Sequence, residues 1–270
     1  MGERGGAIVL AGGRSRRMGT PKAGLEWHGS TLLRHAVGIV GRAVDGPVVV
    51  VRARGQKLPE LPSRVEVAED ERDDRGPLQG IAAGLRAIGD RAAVVFVTGV
   101  DLPLLHPALV RHVLASLRPE DDVALPHAHG FAQPLAAAYR TSIAARLQEL
   151  VADDRLSTRW LWRVVRVREL DERALLADPD VAALDPALDS LLNLNDPSEY
   201  EAARRRPPPL VTVSARGDAP ATVRAATLAE AAAAAGVAAG EAIVAGNGAI
   251  ADPQWPLVAG DSLTFLSASS

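Results

Sequence analysis

The chain has 270 residues, of which 47% are hydrophobic, 23% charged and 3% aromatic, and its formal net charge is −3. This composition predicts a soluble globular protein of one or two domains, with no general attraction to nucleic acid or to a membrane. The sequence contains no cysteine, which excludes disulfides, thiolate metal sites and cysteine nucleophiles. No apolar run approaches the roughly 20 residues of a membrane helix, and the start lacks the apolar segment of a signal peptide, so we expect a cytoplasmic protein.

Short apolar runs alternate with helical stretches along the first 203 residues. Strands are predicted at 6–12 ("GAIVLAG"), 46–53 ("GPVVVVRA"), 64–70 ("RVEVAED") and 92–101 ("AAVVFVTGVD"), and helices at 30–44 and 76–89. Strands that are apolar on both faces are typical of a parallel sheet covered by helices on both sides. We therefore predict an α/β domain with an open, mostly parallel, Rossmann-like sheet and helices on both faces.

A change of composition near residue 204 predicts a second domain. The stretch "EAARRRPPPL" at 201–210 contains three prolines, which cannot continue a helix, so we place a linker at 204–209 between domains at 1–203 and 210–270. The last sixty residues have the pattern β-β-α-β-β, with Asn247-Gly248 as a hairpin-type turn signal. This pattern predicts a small mixed sheet with one helix lying across it.

The exit of the first strand carries the clearest chemical signal, "LAGGRSRRMGTPK" at 10–22. It is neither a P-loop nor a G-x-G-x-x-G fingerprint. Gly12 and Gly13 lie at the carboxyl end of the strand, where backbone N–H groups can approach phosphate oxygens without a Cβ in the way. Arg17 can hold two phosphate oxygens with its guanidinium, and Lys22 can act as a point charge. The motif predicts a nucleotide-binding segment of Leu10, Ala11, Gly12 and Gly13 with two cations behind it.

Asp101 follows the most apolar strand of the sequence and is predicted at the same edge of the sheet. A carboxylate in that place is a good hard ligand for Mg²⁺, which completes its octahedron with phosphate oxygens and water. The alternative is that Asp101 caps the helix that begins within "LPLLHPALV" at 102–110.

Five segments in order resemble the nucleotidyltransferases that activate sugars and cofactors, and especially the molybdenum cofactor guanylyltransferases. They are the motif at 10–22, "GPLQGIAAGL" at 76–85, "VVFVTGVDLPLL" at 94–105, "QPLAAAYR" at 133–140 and "LLNLNDPSEY" at 191–200. The resemblance implies transfer of GMP from GTP to molybdopterin, with pyrophosphate released and Mg²⁺ on Asp101. It implies that Arg17, Lys22 and Asp101 are catalytic and that Asn193 and Asn195 position the acceptor or the metal, with acceptor binding as the role we assign to them.

The choice of base is less sharply encoded. Asp70 matches the family's aspartate that accepts from guanine N1–H and the 2-amino group, although it belongs to the acidic run "EDERDDRG", which is also typical of a solvated loop. Arg52 stands where the family has an asparagine, and its donors suit guanine O6 and N7 or cytosine O2 and N3. Cytidylyl transfer to the same cofactor therefore stays open, as do another phosphorylated acceptor and a non-catalytic nucleotide-binding scaffold.

The C-terminal segment "AGNGAIADPQWPLVAGDSLTFLSA" at 245–268 resembles the ubiquitin-like, β-grasp sulfur-carrier proteins of the molybdopterin and thiamine pathways. Those carriers end in Gly-Gly, whose carboxylate is activated, whereas this sequence ends in "SASS". The resemblance implies a β-grasp unit that docks or stabilises rather than carries sulfur. Its partners would be other molybdenum cofactor biosynthesis proteins or acceptor proteins.

Two further patterns carry weaker signals. His127 and His129 are two residues apart but lack an evident third ligand, so we expect a loop that faces the acceptor substrate rather than a metal site. In "RWLWR" at 159–163 the tryptophans are expected to pack on the core, with Arg155 or Arg159 able to meet an anionic acceptor.

Overall fold

The computed structural model describes residues 4–12, 21–70, 76–215, 219–237, 242–244 and 248–266. The strands are β1 Gly5–Leu10, β2 Glu26–Trp27, β3 Ser30–Thr31, β4 Val48–Arg52, β5 Val65–Glu69, β6 Val94–Gly99, β7 Val123–Ala128, β8 Phe131–Ala132, β9 Ala136–Arg140, β10 Val167–Leu170, β11 Leu210–Ala215, β12 Ala221–Arg224, β13 Ala242–Val244, β14 Gly248–Ile250 and β15 Ser262–Phe265. The helices are α1 Leu32–Gly41, α2 Pro77–Ile88, α3 Pro107–Ala115, α4 Ala144–Ala152, α5 Thr158–Leu161, α6 Glu172–Leu175, α7 Pro179–Leu184, α8 Pro197–Arg204 and α9 Leu228–Ala234. Within these ranges no helix has both the length and the apolar character needed to cross a membrane.

The larger sheet has the strand order β10-β7-β9-β6-β1-β4-β5, with β8 paired to β7. Its pairs are parallel except those that involve β9 and β8. The predicted mostly parallel α/β sheet is therefore confirmed. Its central strands β1 and β6 are buried along their whole length, in keeping with their unbroken apolar sequences.

Both faces of this sheet are covered. Alternate residues of the central strands, such as Ile8 of β1 and Val97 of β6, pack with α2 and α4 in one core cluster. Their neighbours, such as Val9 and Phe96, point to the other face because side chains alternate along a strand, and they are fully buried as well. Close packing of α2 on β1 requires Gly84, since a Cβ there would lie 2.6 Å from Ile8 Cγ2.

The register of the strands brings several loops to one edge of the sheet. Leu10, the last residue of β1, lies opposite Val51 of β4 and Gly99 of β6. The chain therefore leaves all three strands at a common carboxyl edge. Because β9 runs antiparallel to β6, with Ala136 opposite Thr98, the residues that precede β9 lie at this edge too. This is the edge at which open α/β sheets bind ligands.

Residues 26–31 and 198–270 form a compact unit of their own. Its five-stranded sheet has the order β12-β11-β15-β13-β14, in which β11 and β15 are parallel and the other pairs antiparallel. Helix α9 packs its buried residues against the apolar face of this sheet and Trp255. The segment 241–250, which the predicted pattern counts as one strand, contributes the two short strands β13 and β14, and the turn at 245–247 lies outside the described residues.

In the same unit, the β2–β3 hairpin is held by helix α8. Arg204 Nε makes an ion pair with Glu26 Oε2 at 2.6 Å, and the Tyr200 hydroxyl donates to the Glu26 carbonyl. The rings of Trp27 and Tyr200 lie 6.5 Å apart, and Trp27 is buried. Helix α8 therefore begins before the predicted linker and makes contacts that are distant in sequence.

Candidate functional site

Three segments that are far apart in sequence meet at the carboxyl edge of the larger sheet. Lys22 begins a short 3₁₀ turn, and its Nζ donates to the carbonyl of Leu194 at 2.5 Å. The N–H of Leu194 in turn donates to the carbonyl of Asp101 at 2.8 Å. The structure thus brings together Lys22, Asp101 and the segment that carries Asn193 and Asn195.

Asp101 combines burial with an unsatisfied oxygen. Within the described part of the chain, its buried Oδ1 has no hydrogen-bond partner. Burial raises the pKa of the Asp101 carboxyl, and the nearby charge of Lys22 partly opposes this increase. A Cβ on Gly99 would collide with Oδ1, so glycine at this position makes room for the carboxylate.

The helix-cap alternative for Asp101 is wrong. The N-cap of α3 is His106, whose Nδ1 accepts from the N–H of Ala108 at 3.1 Å. The donor set at Asp101 fits a divalent cation, because an unpartnered carboxylate oxygen is the hard ligand that such ions prefer. Among the described residues, no group of three or more acidic, histidine or cysteine side chains is placed to hold a metal ion.

The glycine-rich segment is only partly within the described residues. Leu10 and Ala11 are buried, whereas Gly12 is exposed at the end of β1. A Cβ on Gly12 would lie 3.1 Å from the backbone nitrogen of Ala53, so only glycine fits without a shift of the backbone. Gly13 and Arg17 lie outside the described residues.

Arg52 is engaged by its own neighbours. Its Nη2 lies 2.6 Å from Oε1 of Glu69, the residue opposite it in the β4–β5 register, and its Nη1 donates to the carbonyl of Gln56 at 3.1 Å. Gln56 also donates through Nε2 to the Ala11 carbonyl at 2.9 Å. The guanidinium of Arg52 thus neutralises Glu69 and supports the loop beside the glycine-rich segment. Gln56 belongs to no recognisable motif, so nothing in the sequence indicated these contacts.

Asp70 is fixed through both its backbone and its side chain. Its N–H donates to the carbonyl of Arg52 at 2.8 Å. One carboxylate oxygen accepts from Nε2 of Gln79, a buried residue in the first turn of α2. Gln79 occupies the unspecified position of the Gly-Pro-Leu-x-Gly segment, and nothing in that motif indicated its contact with Asp70.

Asn193 and Asn195 adopt a local arrangement with a third amide. Nδ2 of Asn193 donates to Oε1 of Gln133 at 3.1 Å, and Nδ2 of Asn195 donates to the backbone carbonyl of Asn193 at 3.4 Å. Gln133 is 6% exposed and precedes β9. Gln133 belongs to the segment "QPLAAAYR", whose pattern indicates no role for it.

The two weaker patterns make the following contacts. Trp160 is half-buried against the core, and the guanidinium carbons of Arg155, Arg159 and Arg163 lie 4.7–5.4 Å from its ring centroid. Nε2 of His129 lies 3.1 Å from the carbonyl of Leu188, which is distant in sequence.

A parallel sheet with a glycine-rich exit, a lysine and an aspartate at its carboxyl edge defines the class of nucleotidyltransferases. The chain matches the MobA-like NTP transferase domain over residues 7–174, and it belongs to that family. It is therefore an enzyme of nucleotidyl transfer.

Two relatives from mycobacteria share 41–43% sequence identity with this chain. The chain is 41% identical over 158 residues to the "Probable molybdenum cofactor guanylyltransferase" of Mycobacterium avium (strain 104). The alignment covers 57% of this chain and 78% of the relative. It is 43% identical over 149 residues to the protein of the same name in Mycobacterium marinum. That alignment covers 54% of this chain and 72% of the relative.

Solved structures share the fold. The molybdopterin-guanine dinucleotide biosynthesis protein A of Archaeoglobus fulgidus aligns with a TM-score of 0.59 at 23% identity, covering 74% of this chain and 96% of the other. The 2-C-methyl-D-erythritol 4-phosphate cytidylyltransferase of Thermus thermophilus aligns with a TM-score of 0.51 at 17% identity, covering 74% and 98%. At these identities the likeness concerns the fold alone.

Proposed function

We propose that the protein transfers GMP from GTP to molybdopterin and releases pyrophosphate. The observation that carries the proposal is the meeting of Lys22, Asp101 and the 193–195 segment at the carboxyl edge of the sheet. The 41% identity to a relative named as a molybdenum cofactor guanylyltransferase supports the same substrates.

Nucleotidyl transfer requires the α-phosphate to meet an acceptor oxygen in line with departing pyrophosphate. The protein contributes mainly position and electrostatic stabilisation, because negative charge grows on the phosphate oxygens in the transition state. In this proposal Lys22, whose backbone begins the 3₁₀ turn and whose Nζ donates to the Leu194 carbonyl, exchanges that carbonyl for a phosphate oxygen when the nucleotide binds. Arg17 supplies the second cation in this proposal.

Asp101 would hold Mg²⁺, which when bound would polarise the phosphate oxygens. The unpartnered Oδ1 supports this role. Residues 10–13 would cradle the nucleotide with backbone N–H groups, and Gly12 fits this role because a side chain there would press on Ala53. Asn193 and Asn195 would orient the acceptor.

The base site favours guanine over cytosine. Asp70 offers a carboxylate whose orientation is set by Gln79, as the two donors on the Watson–Crick edge of guanine require. Arg52, the residue that kept cytidylyl transfer open, is paired with Glu69 instead of being available to a base. In this proposal Arg52 supports the base-binding loop and does not read the base.

Pyrophosphate release with each NTP in turn, with and without molybdopterin, tests the proposal. We expect release with GTP and Mg²⁺ that depends on molybdopterin. Faster release with CTP would replace guanylyl by cytidylyl transfer. Nucleotide binding without release under any of these conditions would leave a binding scaffold and would overturn the proposal.

We also propose that the C-terminal sheet is a β-grasp domain, with the boundary at 204–209. The central parallel pair of β11 and β15, the flanking antiparallel strands and the single helix α9 support this assignment. Its function would be to dock another molybdenum cofactor biosynthesis protein or an acceptor protein. Loss of binding to such proteins, with unchanged turnover of free substrates, is the expected result of deleting it.

A further inference from the structure

Gln133 lies at the same edge of the sheet as the proposed site. It comes three residues before β9, whose first residue Ala136 is opposite Thr98 near the end of β6. The side chain of Leu135 lies 3.7 Å from the position of a Cβ on Gly99, so this loop flanks the backbone that leads to Asp101. Gln133 therefore lies near the proposed nucleotidyl-transfer site, and the proposed function gives it no role.

The backbone and side chain of Gln133 are both fixed. Its N–H donates to the Pro126 carbonyl at 2.8 Å, and its carbonyl accepts from Ala136 at 3.0 Å. Its side chain is 6% exposed, and Oε1 accepts from Asn193 Nδ2 at 3.1 Å. A buried amide oxygen without a partner is costly, so this bond holds the Asn193 amide beside Gln133.

We propose that Gln133 is a positioning residue that sets the orientation of the Asn193 side chain for the acceptor. An amide presents donors at one terminal atom and an acceptor at the other. When Nδ2 of Asn193 is bound to Gln133, its Oδ1 is turned away from Gln133 and is left for a donor group of the acceptor substrate. This inference rests on the proposed function, in which Asn193 binds the acceptor.

Two substitutions separate hydrogen bonding from packing. Gln133→Met keeps the length of the side chain but removes the acceptor, and Gln133→Glu keeps an acceptor at the same place. We expect Gln133→Met to lower kcat/KM for molybdopterin about tenfold, as for loss of one buried hydrogen bond, with an unchanged Kd for GTP measured without molybdopterin. Gln133→Glu is expected to restore most of this loss.

Thr141→Val is the matched control, because Thr141 follows the other end of β9 and its hydroxyl bonds the carbonyls of Ala92 and Ala93. We expect it to lower Tm without changing kcat/KM. If Gln133→Met also lowers only Tm, or if it changes the Kd for GTP as much as kcat/KM, Gln133 is structural and the inference fails.

A double-mutant cycle tests whether Gln133 acts through Asn193. In an Asn193→Ala background, Gln133→Met should have no further effect on kcat/KM, whereas additive effects would overturn the inference. The side-chain amide resonances of Asn193, assigned by their loss in Asn193→Ala, should shift in Gln133→Met and stay nearly in place in Gln133→Glu. Unchanged resonances in Gln133→Met would also overturn it. Because this readout needs no turnover, it distinguishes failure of the inference from failure of the proposed reaction.

Discussion

Asp101 illustrates how the burial of a carboxylate opposes stability. Its carboxylate is largely removed from water and one oxygen lacks a partner in the described chain, which raises its pKa despite the charge of Lys22. With a raised pKa, the folded state binds the proton more tightly than the unfolded state does. Stability therefore falls as the pH rises from the ordinary carboxyl pKa through the raised one. Burial of this charge fits a cation-binding role better than a structural role.

We predict that Asp101→Asn abolishes Mg²⁺-dependent turnover without destabilising the fold. The amide removes the charge that would hold the metal and also removes the cost of burying a carboxylate. Pyrophosphate release and Tm at neutral pH in the presence of EDTA are the measurements, with Asp90→Asn, an exposed acid, as the control. Full activity, or a fall in Tm of several degrees, would contradict the assignment of Asp101.

For Lys22→Ala we predict a fall in kcat of about 100-fold, typical for loss of one preorganised electrostatic contact. Steady-state kinetics with GTP varied at saturating molybdopterin measures it. The only other lysine of the sequence, Lys57, is exposed, and Lys57→Ala is expected to keep wild-type kinetics. A change in KM alone for Lys22→Ala would show that the lysine contributes uniform binding instead.

At the scale of elements, Asp122 connects three strands at the edge of the larger sheet. Its Oδ2 accepts from the Arg166 N–H at 2.9 Å just before β10, its N–H donates to the Arg166 carbonyl, and its carbonyl accepts from Arg140 at the end of β9. Burial by itself would raise the pKa of the Asp122 carboxyl. The hydrogen bonds from Arg166 and the charges of Arg166 and Arg146 outweigh it, so the pKa lies below its usual value of 3.8.

We predict that Asp122→Asn destabilises the fold by about 1 kcal/mol at pH 7, since a charged acceptor is replaced by a neutral one. A lowered pKa means that the stabilisation is present above the unfolded-state pKa and is lost as the pH falls through the folded-state value. The difference from wild type in urea denaturation should therefore shrink between pH 5 and about pH 3.

Asp121→Asn is the neighbouring control for this prediction, because its contact with Arg168 is a longer ion pair of 3.9 Å. It is expected to change stability by less than about 0.5 kcal/mol. If the difference in free energy of unfolding between Asp122→Asn and wild type does not depend on pH, the negative charge of Asp122 is not what stabilises the contact between the strands.

For the whole molecule, the described contacts predict different effects for two C-terminal truncations, one after residue 205 and one after residue 197. Residues Tyr200 and Arg204 of α8 hold the hairpin through Glu26, and the hairpin follows Lys22 directly in sequence. A chain that stops after Arg205 keeps these contacts and every segment of the family resemblance. A chain that stops after Pro197 loses them and uncovers the ring of Trp27.

We predict that the chain ending at 205 stays folded and keeps kcat within about threefold of the full chain, because it retains the contacts of α8 with the hairpin. The chain ending at 197 is predicted to lose most of its activity and to have a lower Tm. Pyrophosphate release and thermal unfolding of both proteins are the measurements. Loss of activity at 205 would make the C-terminal sheet part of the active enzyme.

Much of the fold and of the candidate site was predictable because it depends on local patterns. Unbroken apolar runs such as 94–99 specify buried parallel strands, and residues at the ends of such runs must lie at one edge of the sheet. Lys22 and Asp101 were therefore predicted as site residues from the strand ends that they follow, and Asn193 was predicted from the family resemblance. Their chemical roles stay predictions. The extent of α8 was not predictable, because the burial of Tyr200 depends on a hairpin that is distant in sequence.

By itself, the sequence determined the α/β architecture, the family and the residues at the carboxyl edge, because periodicity and short motifs encode them locally. Only the tertiary structure decided which of those residues touch. It paired Arg52 with Glu69, Asn193 with Gln133 and Lys22 with the Leu194 carbonyl. These contacts follow from strand register and from the packing of segments that are distant in sequence. No single stretch of the chain therefore contains both partners of the interactions whose free energy selects them.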